Sequence, residues 1–211
     1  MPKAGAEHDS VWKDGFLFVG NQLALDFVNT QPVQNGEAVE LLADFGALLR
    51  WFRAAGLIGS REVVRLQKER GNSPRARRAF EAMRALREKL REEILAWEDG
   101  GALRRSTVEE LNRLMAKHPM RIRLMNGTKP STELYFEPVE PEDLFAPLVH
   151  SAAMLFGGVD RTRVRKCDQC VLHFHDTSKK GTRRWCSMQL CGNRQKVAAY
   201  AARQRSGTVH E

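Results

Sequence analysis

Cys167-Asp168-Gln169-Cys170 and, after fifteen intervening residues, Cys186-Ser187-Met188-Gln189-Leu190-Cys191 decide how the end of this chain folds. A Cys-x2-Cys turn lets two sulfurs converge on one ion while the intervening backbone offers N–H groups to the thiolates. Four thiolates complete a tetrahedral zinc shell and leave no position for water, so the expected cofactor is a single structural Zn2+ held by Cys167, Cys170, Cys186 and Cys191. Residues Arg161–Lys166 and Val171–His175 read as strands on either side of the first pair. The second pair opens a helix expected from Met188 to about Arg205. Knuckle, hairpin and helix make a treble-clef-like module of about fifty residues. A module of that size buries too little apolar surface to fold unaided, and the metal supplies roughly 10 kcal/mol. Two competing readings are four free thiols and a Cys167–Cys170 redox dithiol, but no thioredoxin-like βαβ pattern surrounds the pair. With the shell full, His173 and His175, two apart on a strand, are expected to pack or face solvent.

Charge is concentrated around the same cysteines. Residues 161–211 hold 12 Lys+Arg against 3 Asp+Glu, a net of +9, whereas residues 1–160 hold 22 against 23, a net of −1. The whole basic excess of the chain therefore lies in its last quarter and points to a polyanionic partner. Between the ligand pairs runs Thr177-Ser178-Lys179-Lys180-Gly181-Thr182-Arg183-Arg184-Trp185. Lys179, Lys180, Arg183 and Arg184 on a loop anchored at both ends suit phosphate contact. Four thiolates on zinc carry a net −2, which a neighbour such as Arg194 partly neutralises. On the following helix Arg194 and Arg205 share one edge and Lys196 and Arg203 the opposite edge. They are counted as candidate nucleic-acid contacts, and no base contact is assigned from the pattern, since cations flanking an apolar stripe often form only a solvated border. Trp185, beside Cys186, is expected in the small core.

Upstream the pattern is helical. Leu41, Leu42, Phe45, Leu48, Leu49 and Phe52 recur at helical intervals over about 39–55, ending at Gly56. A short helix follows Ser60, and Ser73-Pro74 caps the next. In that helix Phe80, Met83, Leu86, Leu90, Ile94 and Trp97 form one stripe. Thr107 to Glu110 reads as a capping box opening a further helix to about Lys117. Residues 120–125 and 133–139 read as strands around Asn126-Gly127, and a last helix covers about 141–156. Gly15 to Thr30 reads as an irregular lead followed by a short strand or helix. The fold expected is mainly α with a small β-hairpin (α+β), divided into a helical domain over 1–160 and the basic zinc module over 161–211.

The run Arg183-Arg184-Trp185-Cys186-Ser187-Met188-Gln189-Leu190-Cys191-Gly192-Asn193-Arg194, with Cys167-Asp168-Gln169-Cys170 and Asp176-Thr177-Ser178, resembles the CGNR zinc-finger family of bacterial proteins. Gly20-Asn21-Gln22-Leu23-Ala24-Leu25-Asp26-Phe27-Val28-Asn29-Thr30 resembles the opening of its companion domain, ABATE, described as a stress-induced transcription regulator. The resemblance covers nearly the whole chain. It implies a DNA-binding transcriptional regulator in which the four cysteines are ligands, Gly192 allows close backbone approach near the metal and Asn193 hydrogen-bonds to the site.

Other classes find less support. The apolar stretch 144–159 is interrupted by Pro147 and His150 and is too short to span a bilayer, and MPKAGAEHDS has no apolar core of an export signal. A cytoplasmic protein without membrane contact is expected. His8, His118 and His150 and the pairs Glu92-Glu93 and Glu109-Glu110 match no catalytic spacing, so no catalytic residue and no enzyme are expected. Glu92-Glu93 and Glu109-Glu110 read as solvated or capping charge, His150 as a hydrogen-bonded core residue, and Arg121 and Arg123 as exposed strand charge. The partners expected are nucleic acid, foremost duplex DNA, with a small-molecule effector and a second copy of the chain left open. The alternative is a ligand-binding or enzymatic N-terminal domain with a structural or protein-docking finger.

Overall fold

Asp44 and Ser73 each accept a hydrogen bond from the amide three residues on, and with those caps two of the main helices begin. The structure, a computed structural model, describes residues 11–34, 36–193 and 196–197. In chain order it contains β1 (Trp12–Lys13), β2 (Phe16–Leu17), α1 (Leu23–Val28), β3 (Val33–Gln34), β4 (Glu37–Ala38), α2 (Phe45–Ala54), α3 (Ser60–Arg70), α4 (Pro74–Glu98) and α5 (Arg105–Lys117). β5 (Arg121–Met125), β6 (Ser131–Tyr135), α6 (Phe145–Gly158), β7 (Val164–Lys166) and β8 (His173–His175) follow. The strands form four separate antiparallel pairs, each between chain neighbours. The fold is mainly α with small hairpins, as its sequence pattern implies.

The stripe on α4 lies at the centre. Met83, Leu90 and Ile94 are fully buried, and α4 packs on α1 and α2 while α6 packs on α1 and α5. Trp51 fills the middle of the core among Phe18, Phe27 and Phe52.

Several boundaries move for physical reasons. α2 starts at Phe45 rather than near 39, because Glu40 is committed elsewhere. Its carboxylate accepts from the Leu42 amide and receives a two-pronged bond from the buried Arg87 of α4, at 2.8 and 2.6 Å. Leu42 is buried from an irregular segment instead. Thr107 lies inside α5 rather than capping it, and its hydroxyl donates to Glu93 at 2.8 Å. Glu93 is therefore buried and bonded to Thr107 and Arg104, not solvated. The last helix opens with a 3-10 turn, Pro141–Leu144, and α6 includes Gly157 and Gly158. Strand β6 occupies 131–135, so the turn is tighter than a strand over 133–139 requires. A 3-10 turn at Arg161–Arg163 precedes β7.

A second, smaller core contains Leu172, Phe174, Cys167, Cys186 and Cys191, and is completed by Leu17 and Val19 from the N-terminal hairpin region. Trp185 packs against it, partly buried. Among the described residues no helix is long and apolar enough to cross a membrane.

Candidate metal centre and basic loop

Cys167 and Cys170 stand at the tip of the β7–β8 hairpin, whose register pairs Val164 with His175 and Lys166 with His173. The Cys167 amide donates to the Leu172 carbonyl at 2.9 Å and closes the knuckle. Cys186 and Cys191 flank a turn organised by Ser187, whose hydroxyl accepts from the Gln189 amide and whose carbonyl accepts from the amides of Cys191 and Gly192. The four sulfurs lie within 4.8 Å of one another, with Cys170–Cys186 and Cys186–Cys191 both at 3.7 Å. A tetrahedron with metal–sulfur bonds of about 2.3 Å has edges of about 3.8 Å. Disulfides need roughly 2.05 Å, so these are separate sulfurs arranged for an ion.

Electrostatics favours the same conclusion. Hydrogen bonding from Cys170 and Cys186 holds the Cys167 thiol far below its ordinary range, and the adjacent Cys167 pushes Cys170 up to about 12. Cys167 and Cys170 also drive Cys186 upward, and burial raises Cys191. Four thiolates cannot coexist here without a cation among them. The site can hold one zinc ion, with all four cysteines as ligands.

The loop between the ligand pairs is built around an aspartate that the sequence places in a family motif without revealing its role. Asp176 is completely buried, and its two oxygens accept from the amides of Ser178 (2.9 Å) and Arg183 (2.8 Å). Burial alone would raise its pKa, but hydrogen bonds from Ser178 and the Arg183 amide outweigh it and hold the group at about 2. Two arginines of the preceding segment grip the loop carbonyls. Arg163 donates to Asp176 and Ser178, and Arg165 to Gly181 and Arg183. Gly181, at φ +61°, passes so near Arg163 that a Cβ would lie 3.2 Å from its guanidinium carbon. The Asp-Thr-Ser triplet was the available signal, since an Asp followed by Ser favours such side-chain-to-amide turns.

The predicted phosphate contacts divide. Lys179 and Lys180 are exposed at the loop tip. Arg183 turns inward instead, donating to the carbonyls of Trp185 and Cys186 and covering the ring of Phe174 at 4.6 Å. Arg184 is exposed but bridges Asp168 of the knuckle at 2.7 Å. Arg183 is thereby committed to the module itself, whereas the Arg184–Asp168 pair lies open to solvent, with 68% and 40% of the two side chains exposed. Lys196 is exposed. Arg194, Arg203 and Arg205, and the expected helix beyond Val197, lie outside the described residues. Asn193 is exposed at the end of the second ligand turn, and the space at Gly192 is taken by Met188, whose Sδ would lie 2.5 Å from a Cβ there.

The finger docks on the N-terminal motif. Gly20 accepts from the His175 amide, Asn21 donates to the His175 carbonyl, and Asn29 both donates to and accepts from the His173 backbone at 2.8 and 2.9 Å. Asn29 thus pairs with β8 as another strand would. His173 is buried and donates from Nδ1 to Glu98 at the end of α4, while His175 is half-buried. Gly20 is required by closeness, since a Cβ would lie 2.7 Å from Leu25 Cβ and 2.9 Å from Asp26 Oδ1. Asp26 accepts from the Gly20 amide at 2.7 Å, and burial lifts its pKa to about 7 against the pull of that bond.

Of the remaining polar candidates, His118 stacks on Phe145 near Asp143, and burial lowers its pKa. His150 is half-buried on α6. Glu109 pairs with Arg105, and Glu110 with Lys89. Arg121 and Arg123 are exposed strand cations paired with Glu137 and Glu133. His8 lies outside the described residues.

The family model ABATE, described as "Putative stress-induced transcription regulator", matches residues 21–159, and the model of the CGNR zinc finger matches residues 163–204. No curated protein matches the chain.

Proposed function

The chain belongs to the ABATE family, and from that premise we propose a cytoplasmic, DNA-binding transcriptional regulator whose zinc finger meets the phosphate backbone of duplex DNA. One observation carries the reading. The loop over 177–182 is fastened from within by Asp176, Arg163 and Arg165, so that Lys179 and Lys180 stand exposed on an ordered turn. Prearranged cations lose little conformational freedom on meeting a phosphate. Arg161, Lys166 and Lys196 add exposed charge to the same module. Zinc shapes this surface and performs no chemistry, and we assign the protein no catalytic residue.

The test is a gel-shift series on the zinc-loaded chain from low to physiological salt. For about five phosphate contacts, log affinity falls with log salt at a slope of about −4 to −5. No shift at low salt overturns the proposal, and stronger competition by structured RNA than by duplex DNA reassigns the nucleic acid.

A second reading gives the helical domain a small-molecule effector. It is favoured by a cleft of about 520 Å³ beside β6, lined by Leu57, Arg65, Met120, Tyr135 and Phe136 among others. That volume suits a metabolite. Yet Arg65 already donates to the Pro138 carbonyl and Arg123 to Glu133, which leaves both cations of the cleft engaged. A metabolite that raises the melting temperature of the chain, and loses the effect in Tyr135→Ala, would establish the site.

A further inference from the structure

We propose that the cleft between α4 and the finger is an effector site for a small monocarboxylate with an apolar body, of the size of benzoate. The cleft measures about 180 Å³. Gln31, Arg91 and Leu95 line it from the helical body, and Lys166, Val171 and His173 line it from the finger. Leu95 is 37% exposed and Val171 38%, so two large aliphatic side chains from different regions face one opening. An engineered apolar cavity of ~150 Å³ takes up benzene, which sets the scale of what fits here.

The polar lining selects an anion. Lys166 is exposed and, among the described residues, has no carboxylate partner. Gln31 spends its Oε1 on Arg91 and keeps Nε2 to donate. Arg91 also donates to the Val28 carbonyl and pairs with Glu88. Glu88 is shared with Arg87, and Glu40 is shared by Arg84 and Arg87. Three guanidinium groups thus face two carboxylates in one chain of ion pairs, which leaves one positive charge in excess. Burial lowers the Arg91 pKa more than Glu88 raises it, as expected of a cation short of counter-charge. No carboxylate lines the cleft, whereas Glu62, Glu133 and Glu137 line the one beside β6. Glu98, at the end of α4, is held by Nδ1 of His173.

The walls decide among anions. A bare phosphate would meet the cations but leave Leu95 and Val171 in water. A carboxylate on a ring sets its oxygens against Lys166 and Gln31 and its hydrocarbon between the two aliphatic side chains. Because one wall is helical body and the other is finger, an occupant ties the two together and favours the docked arrangement over an open one. This site is separate from the cleft beside β6 and does not rest on it. A ligand of about nine non-hydrogen atoms with one side in water binds with a dissociation constant on the order of 1 mM.

Saturation-transfer NMR on the zinc-loaded full chain, titrated with benzoate to about 20 mM, should return that constant. Benzamide, of the same shape but uncharged, should bind about tenfold more weakly, and benzylamine not at all. Lys166→Ala should weaken benzoate about tenfold, and Val171→Trp, which fills the cleft, should abolish binding, with zinc stoichiometry and melting temperature kept in both. Tyr135→Ala should bind benzoate like the parent, since that residue lines the cleft beside β6. Hydrogen exchange on the unaltered chain gives a readout that needs no variant. Amides over 164–175 should gain protection with benzoate, and those over 131–139 should not. Absence of transfer at the highest concentration, equal binding of the three compounds, either finger variant matching the parent, or protection confined to 131–139 each overturns the proposal. No arm contains nucleic acid, so a finger that fails to bind DNA leaves every one of these outcomes as it is.

Discussion

Thirty buried apolar side chains close the core of the helical body among the described residues, whereas the finger's core has seven, three of them cysteines and two, Leu17 and Val19, borrowed from the N-terminus. Leu172 and Phe174 are the buried hydrocarbon the finger supplies to its own core among the described residues, since Val164 of β7 is buried against the helical body instead. At roughly 1.5–3 kcal/mol for each buried large side chain, the body can offset its chain entropy by burial and the finger cannot. Its order comes from directional contacts: four sulfurs, Asp176 on two amides, and Arg163 and Arg165 on four carbonyls. One chain thus contains two answers to the same entropic cost, and they should fail under different insults.

The largest separation is expected on metal removal. Stripping zinc with a chelator, or Cys186→Ser, should cost the finger on the order of 10 kcal/mol while most of the helical circular-dichroism signal survives. Loss of that signal together with the metal would mean that the body has no independent stability. The converse is Leu90→Ala, a fully buried side chain of α4. Thermal unfolding should show about 2–5 kcal/mol of destabilisation, with zinc stoichiometry unchanged at temperatures below the transition.

The joint between the regions should respond to pH. Burial lifts the Asp26 carboxyl from its ordinary 3.8 in the unfolded chain to about 7 in the fold, so between those values the folded state holds the extra proton. Stability then falls as pH rises from about 4 to 7, by up to about 4 kcal/mol. Denaturant titrations of Asp26→Asn should lack that slope, and an identical slope would remove Asp26 as its cause. Asn29→Ala deletes both bonds to His173 and should cost about 1–3 kcal/mol, read as faster amide exchange in β8 than in α4. The smallest effect belongs to Lys179→Ala or Lys180→Ala. Each should reduce the salt slope of DNA binding by about 1 and leave the melting temperature within 1 °C or so.

Much of this was legible in the residues themselves. The four ligands follow from spacing alone, and the α4 stripe from its period, because both are local patterns. The start of α2 was not, since it depends on Arg87, 47 positions from the Glu40 it engages. The same is true of Glu93, which reads as surface charge until Thr107 and Arg104 close over it. Arg183 and Arg184 resemble Lys179 and Lys180 in composition, but only the folded loop shows that the first two face the module's carbonyls and knuckle. The docking role of Asn21 and Asn29 depends on contacts across 154 and 144 positions of sequence, which no local pattern encodes.

The grip of Gly20, Asn21 and Asn29 on β8 has a consequence for how such proteins can be recombined. A graft of residues 163–204 alone onto another body would carry the cysteines but leave behind Leu17, Val19 and the amide that seals the open side of His173. The heritable module is discontinuous, joining the segment 11–30 to the finger, and chimeras that cross over between those two segments should inherit a finger without its seat.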